Sequence, residues 1–194
     1  MSKRNSIVII LILCLLVCVL VAVAAARQAN APVMTGNGIE KRTNKGIDYY
    51  IFREAYSGEY DIQYKSASFE SSDLEGIDVC EQMDYDRYQA YCEQYGLTQT
   101  YTDPDRYYLV YSQSKFAAPE VNAELAAVEY RKDTAALYIF NEFSGVTGDV
   151  SAYVCVVPTN VAVKKVQRIT LYSDEQYASI MDYGIPDASA PEAP

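Results

Sequence analysis

The segment from Thr134 to Phe143 constrains the fold most. Leu137 and Ile139 fall on one face of a strand and Tyr138 and Phe140 on the other, because successive strand side chains point to opposite sides. A strand apolar on both faces has to be covered on both. Similar short aromatic or β-branched runs occur at Asp48–Arg53, Tyr60–Lys65, Ile77–Cys80, Tyr107–Tyr111, Ala123–Tyr130, Tyr153–Val157 and Lys164–Tyr172, and each reads as a strand. Ser57-Gly58 suggests that the first two pair as an early hairpin. One helix interrupts them. Asp84 can cap it, Tyr88, Tyr91, Cys92 and Tyr95 follow helical spacing, and Gly96 stops it. The expected fold class is α+β, a mainly antiparallel β-sheet domain with one inserted helix.

Ahead of that domain, Lys3 and Arg4 precede an uncharged apolar run of twenty residues, Ile7 to Ala26. At 1.5 Å per residue a helix of that length spans about 30 Å, the hydrocarbon thickness of a bilayer. Residues 1–26 therefore read as a single N-terminal transmembrane helix or signal segment, a signal-anchor with the lipid bilayer as its partner through residues 7–26. The basic pair places the N-terminus in the cytoplasm and the C-terminal domain outside, a single-pass arrangement at the cell membrane of a bacterium. Ala24-Ala25-Ala26 would suit a peptidase, and cleavage near Ala26 would give a secreted chain instead. The run exceeds the ~7–15 apolar residues usual for a signal peptide, which favours retention. Residues 27–46, with Pro32 and the charged Glu40-Lys41-Arg42, read as a flexible stalk. Residues 47–183 form the extracytoplasmic domain, and 184–194 a tail too poor in apolar residues to order itself.

Composition removes several chemistries. The chain has no histidine and no tryptophan, and its 26 acidic residues outnumber 16 basic ones for a net charge of -10. Without histidine there is no Ser-His-Asp triad, no Cys-His pair and no His-ligated metal. The acidic balance argues against nucleic acid as a partner. Ser112-Gln113-Ser114-Lys115 fits a Ser-x-x-Lys dyad, but at a strand end and without the companion elements such enzymes need. Gly36-Asn37-Gly38 follows no strand and cannot open a phosphate loop. Asp84-x-Asp86 and Asp103-x-Asp105 lack the glycine and glutamate that complete a calcium loop, so capping and turn formation explain them better. A carboxylate pair for hydrolysis stays open in so acidic a chain, with nothing marking one. No catalytic, cofactor-binding or metal site is expected, and no cofactor.

Two residue types carry the remaining information. Beyond the N-terminal run lie Cys80, Cys92 and Cys155. Cys80 precedes the helix and Cys92 sits on its apolar face, so a disulfide between them competes with three buried thiols. Tyrosine is abundant, with 19 residues. Tyr49, Tyr50, Tyr88, Tyr107, Tyr108 and Tyr111 are candidates for an exposed row that would bind a protein partner or a cell-wall glycan. The competing reading is a core built with tyrosine where others use Phe and Trp.

The layout of residues Asp84 to Val166 resembles a known family. A helix ending at Tyr95-Gly96, a turn with Asp103 and Asp105, the strand Tyr107-Tyr108-Leu109-Val110-Tyr111, a hairpin with Leu125 and Val128, and Tyr153-Val154-Cys155-Val156-Val157-Pro158 are similar to the PrcB-like C-terminal domain. That family belongs to a small bacterial lipoprotein that stabilises a surface protease complex. Where the family has a Thr-Gly-Gly-Tyr turn before the hairpin, this chain has Ala117-Ala118-Pro119-Glu120-Val121-Asn122. The resemblance covers under half the chain and implies a non-catalytic partner role without mapping a site. The expected function is a membrane-anchored extracytoplasmic interaction protein that stabilises or modulates such a complex. A carbohydrate- or wall-binding module using exposed tyrosines is the alternative, and a hydrolase the second alternative.

Overall fold

The computed structural model describes residues 12–21, 39–44, 47–52, 60–68, 71–116, 120–144, 150–183 and 185. The chain divides into two units, Met1–Pro32 and Val33–Pro194. The first unit contains helix α1, residues 12–21, with every side chain exposed. Among the described residues no helix is long and apolar enough to cross a membrane. This corrects the expectations of a transmembrane helix, a signal-anchor and a single-pass location; the rest of the apolar run lies outside the described residues.

The second unit is mainly β-sheet. Its strands are β1 (Ile39–Asn44), β2 (Ile47–Phe52), β3 (Asp61–Ala67), β4 (Val79–Met83), β5 (Tyr107–Phe116), β6 (Glu120–Arg131), β7 (Thr134–Ser144), β8 (Val150–Thr159) and β9 (Lys165–Leu171); its helices are α2 (Tyr85–Tyr95) and α3 (Asp174–Tyr183). Two sheets form, one in the order β1-β2-β6-β7-β9 and one in the order β3-β8-β5-β4. Neighbouring strands run antiparallel except β7 and β9, which are parallel.

Strand alternation builds three apolar layers. Tyr50, Phe52, Leu137 and Ile139 of one sheet meet Leu109, Tyr153, Cys155 and Val157 of the other in a shared core. The opposite residues of β5 and β8 (Tyr108, Val110, Val154, Val156) pack under Tyr88, Tyr91, Cys92 and Tyr95 of α2. On the far side, Tyr49, Ile51, Ala136 and Tyr138 pack with Ile180 of α3 and with Ile185. The two-sided strand inferred from Leu137 through Phe140 is β7, covered by the second sheet on one face and α3 on the other.

Local chemistry sets the helix ends. The Asp84 carboxylate accepts the Arg87 N–H at 2.9 Å, and Gly96, at φ 58, donates its own N–H to the Cys92 and Glu93 carbonyls. At α3 the Ser173 hydroxyl accepts from the Gln176 N–H, with Asp174 and Glu175 in the first turn.

Several expectations are corrected here. The early hairpin does not form: β2 and β3 lie in different sheets, because β2 is apolar on both faces and takes an interior position while β3 is half-exposed and takes an edge. The single inserted helix becomes two helices, one over the outer face of each sheet. Residues 39–44, read as part of the stalk, form β1 on the edge beside β2. Ile185 is buried; the remainder of the expected tail lies outside the described residues, as do Ser57-Gly58 and Gly36-Asn37-Gly38.

Side chains fasten the sheets together along one side. The Gln82 amide donates to the Val161 carbonyl at 2.8 Å and accepts from the Val163 N–H at 2.9 Å. Cys80 Sγ lies 3.6 Å from the Val166 carbonyl of β9. On the other side the Tyr64 hydroxyl both accepts the Ala123 N–H at 3.0 Å and donates to the Ala123 carbonyl at 3.3 Å, occupying the place of a neighbouring strand along β6.

Candidate cleft between helix α2 and strand β4

A single residue, Asp84, joins β4 to α2. The helix must therefore turn back along the strand that feeds it, and between them runs a cleft of about 410 Å³. Period two brings Val79, Glu81 and Met83 of β4 to the cleft side, while helical period brings Arg87, Ala90, Tyr91 and Gln94 from α2. Glu75 and Gly76 close the end beside Tyr95.

Hydrogen bonds hold the floor rigid. The Tyr91 hydroxyl lies 2.7 Å from the Ile77 carbonyl and 2.9 Å from Ser112 Oγ. Ser112 Oγ accepts the Val79 N–H at 3.0 Å and donates to the Ile77 carbonyl. Tyr95 donates to the Glu75 carbonyl at 3.1 Å and accepts from the Gln94 amide at 3.0 Å. Gly76 has φ +75, and a Cβ there would lie 3.2 Å from the Tyr95 hydroxyl, so backbone and space both call for glycine. Burial pushes both phenols above their ordinary range, so they act as neutral hydrogen-bonding groups.

The rim is charged. Arg87 Nη2 meets Glu81 Oε1 at 2.6 Å, with the Arg87 side chain 60% exposed. A surface pair of this kind contributes at most about 1 kcal/mol, so both groups can turn to a ligand at small cost. Glu75 adds a second carboxylate, and among the described residues Arg87 is the sole cation lining the cleft.

The residues singled out from sequence scatter away from this cleft. Tyr49, Tyr50, Tyr88, Tyr108 and Tyr111 are buried, and Tyr107 alone reaches 36% exposure. Tyr88 and Tyr108 stack on each other at 4.4 Å, as core aromatics. These six make no exposed row. Cys80 and Cys92 are free thiols, as is Cys155. Cys92 packs against the sheet face under α2, whereas Cys80 turns to the opposite face, towards β9. Strand alternation thus puts the sheet between them. Cys92 and Cys155 are buried and Cys80 is exposed; loss of hydration raises all three thiols, outweighing at Cys80 the opposing effect of the Arg168 charge, so each is neutral at pH 7.

The motif residues have structural partners. Ser112 is 3% exposed within the Tyr91 and Ile77 network, and Ser114 bonds Asp78 through both its N–H and its hydroxyl. The Lys115 side chain lies outside the described residues. Asp84 caps α2, and Asp103 accepts the Asp105 N–H at 3.0 Å in a turn. Among the described residues no three His, Cys, Asp or Glu side chains are grouped to hold a metal ion.

Glu75, Glu81 and Arg87 were not singled out from the sequence. The available signal was a second helical stripe, Arg87, Ala90 or Tyr91, and Gln94, flanking the apolar one. No family model, curated protein or solved structure matches this chain.

Proposed function

We propose that this chain is a protein-binding module and that the cleft between α2 and β4 receives its partner. The observation that carries this reading is a cleft of about 410 Å³ on regular secondary structure, with a tyrosine and methionine floor and a few polar groups at its rim. An apolar centre with aromatic and methionine side chains inside a polar rim is the pattern of protein recognition surfaces. The resemblance to PrcB-like domains points the same way, and stabilising or modulating a protease complex is its more specific form. A photo-crosslinking side chain placed at Ala90, on the cleft, tests the reading against the same group at Glu93, which is exposed on α2 outside the lining. In intact cells producing the full chain, adducts with one protein are expected from position 90 and not from position 93. Equal adducts from both positions, or none from either, would overturn it.

A further inference from the structure

β4 is the last strand of its sheet, and an antiparallel strand turns alternate peptide groups towards opposite neighbours. Val79 is registered with Ser112 of β5, and its N–H turns that way, to the Ser112 hydroxyl. By alternation the N–H and C=O groups of Cys80 and Gln82 point the other way, and among the described residues no further strand pairs with them. Other edge strands are occupied or blunted. The Cys80 thiol and Gln82 amide engage β9 and its approach, Gln63 and Lys65 tie β3 to the backbone of Thr98 and Gly96, and β1 carries Lys41 and Arg42. The cleft lies over the face of β4 that carries Val79, Glu81 and Met83, with α2 as the opposite wall.

An edge strand beside a helix is the arrangement in which an extended peptide adds to a sheet, its backbone giving affinity and its alternate side chains giving specificity. Charge indicates the specificity. Glu75 and Glu81 line this cleft, Arg87, the one cation lining it among the described residues, is already paired with Glu81, and the chain carries a net charge of -10.

We propose that β4 takes an extended segment of a partner protein as an added strand, with a lysine or arginine of that segment facing Glu75 and Glu81. This rests on the binding reading above. The five residues of β4 offer about 17 Å of edge, enough for five or six partner residues. Alternate residues of the segment enter the cleft, where apolar ones meet Met83 and Tyr91 and the basic one meets the carboxylates.

The test selects random displayed heptapeptides on the immobilised full chain, then measures a synthetic consensus heptapeptide by titration and by amide hydrogen exchange. Expected is a consensus of alternating residues with one basic position. The peptide should slow exchange at Cys80 and Gln82 at least tenfold. Ala90→Arg, an exposed helix position, should abolish binding by filling the cleft, and Glu75→Gln with Glu81→Gln should weaken it about tenfold. Binding that Ala90→Arg abolishes, but without a basic preference or without protection at Cys80 and Gln82, overturns strand addition and leaves the binding cleft standing. No selectable peptide, or peptides indifferent to Ala90→Arg, overturns both. Protection of Cys80 and Gln82 without peptide, in a chain that sediments as a dimer, makes the occupant a second copy and overturns the proposal.

Discussion

Replacing Ser112 by alanine tests the network beneath the cleft. In the folded protein Ser112 Oγ accepts the Val79 N–H at 3.0 Å and donates to the carbonyl of Ile77, a residue with no exposed surface. Ser112→Ala orphans the Val79 N–H while Tyr91 still satisfies Ile77, at 2.7 Å. Removing one partner and leaving a partly buried amide unmet costs about 1–3 kcal/mol, so Ser112→Ala should destabilise by about that amount. Tyr91→Phe removes a hydroxyl whose partners keep each other, and should cost about 1 kcal/mol. The double variant strips the Ile77 carbonyl of both donors and should exceed the sum of the singles by about 1 kcal/mol. Urea unfolding of the full chain followed by far-ultraviolet circular dichroism gives these differences, provided the slope stays constant. A Ser112→Ala cost below about 0.5 kcal/mol, or a double variant no worse than the sum, would refute the network as described.

Three other outcomes follow from the same structure. Lys132 holds φ 42 in the turn joining β6 to β7, a conformation glycine adopts freely, so Lys132→Gly should stabilise by about 0.5–1 kcal/mol in the same urea assay. Tyr88, Tyr91, Tyr130 and Tyr138 are held above the ordinary phenol value of 10.0, chiefly by burial. Their neutral forms thus favour the folded state fully below pH 10, and stability should fall as pH rises beyond it because the unfolded chain loses those protons first. Urea midpoints from pH 8 to 11 measure this; a midpoint that rises above pH 10 contradicts it. Thiol reagent should react with Cys80 in the native chain and with Cys92 and Cys155 only in denaturant, since those two are 3% and 0% exposed; new thiols appearing on reduction would indicate a Cys80–Cys92 bond instead.

Much of the fold was legible because local signals agreed with tertiary demands. Helix α2 begins and ends where its aspartate and glycine place it, and the two-sided apolar pattern of β7 marked an interior strand. β1 was hidden because its sequence, IEKRTN, has one large apolar residue. As an edge strand it buries little, and Lys41 and Arg42 spend their charge on Asp48 and Glu40. The α3 signal was present in Tyr177, Ile180 and Met181, spaced i, i+3 and i+4. Pairing was less legible than the strands, because alternation gives the faces of β2 and β3 but not their neighbours. Tyrosine burial was illegible for another reason. The hydroxyls of Tyr91, Tyr95 and Tyr108 end on the backbone carbonyls of Ile77, Glu75 and Asp103, and composition carries no record of such acceptors. The cleft likewise depends on the direction in which α2 leaves Asp84, and the residue types alone do not encode that direction.

The strand order has a consequence for how the chain acquires its structure. Along the sequence, β1 and β2 belong to one sheet, β3 to β5 to the other, β6 and β7 to the first, β8 to the second and β9 to the first again. β8 lies between β3 and β5, so the second sheet has a vacant centre until residues 150–159 are synthesised. Long-range pairings of this kind close large loops before any ladder rewards them, which slows folding to milliseconds or longer. On the ribosome neither sheet can be completed early, and the apolar faces of β5, β6 and β7 stay uncovered until β8 and β9 emerge. Folding of the two sheets should therefore wait for β9 and then proceed all at once, and a chain truncated before Val150 should behave as an unfolded, chaperone-bound polypeptide.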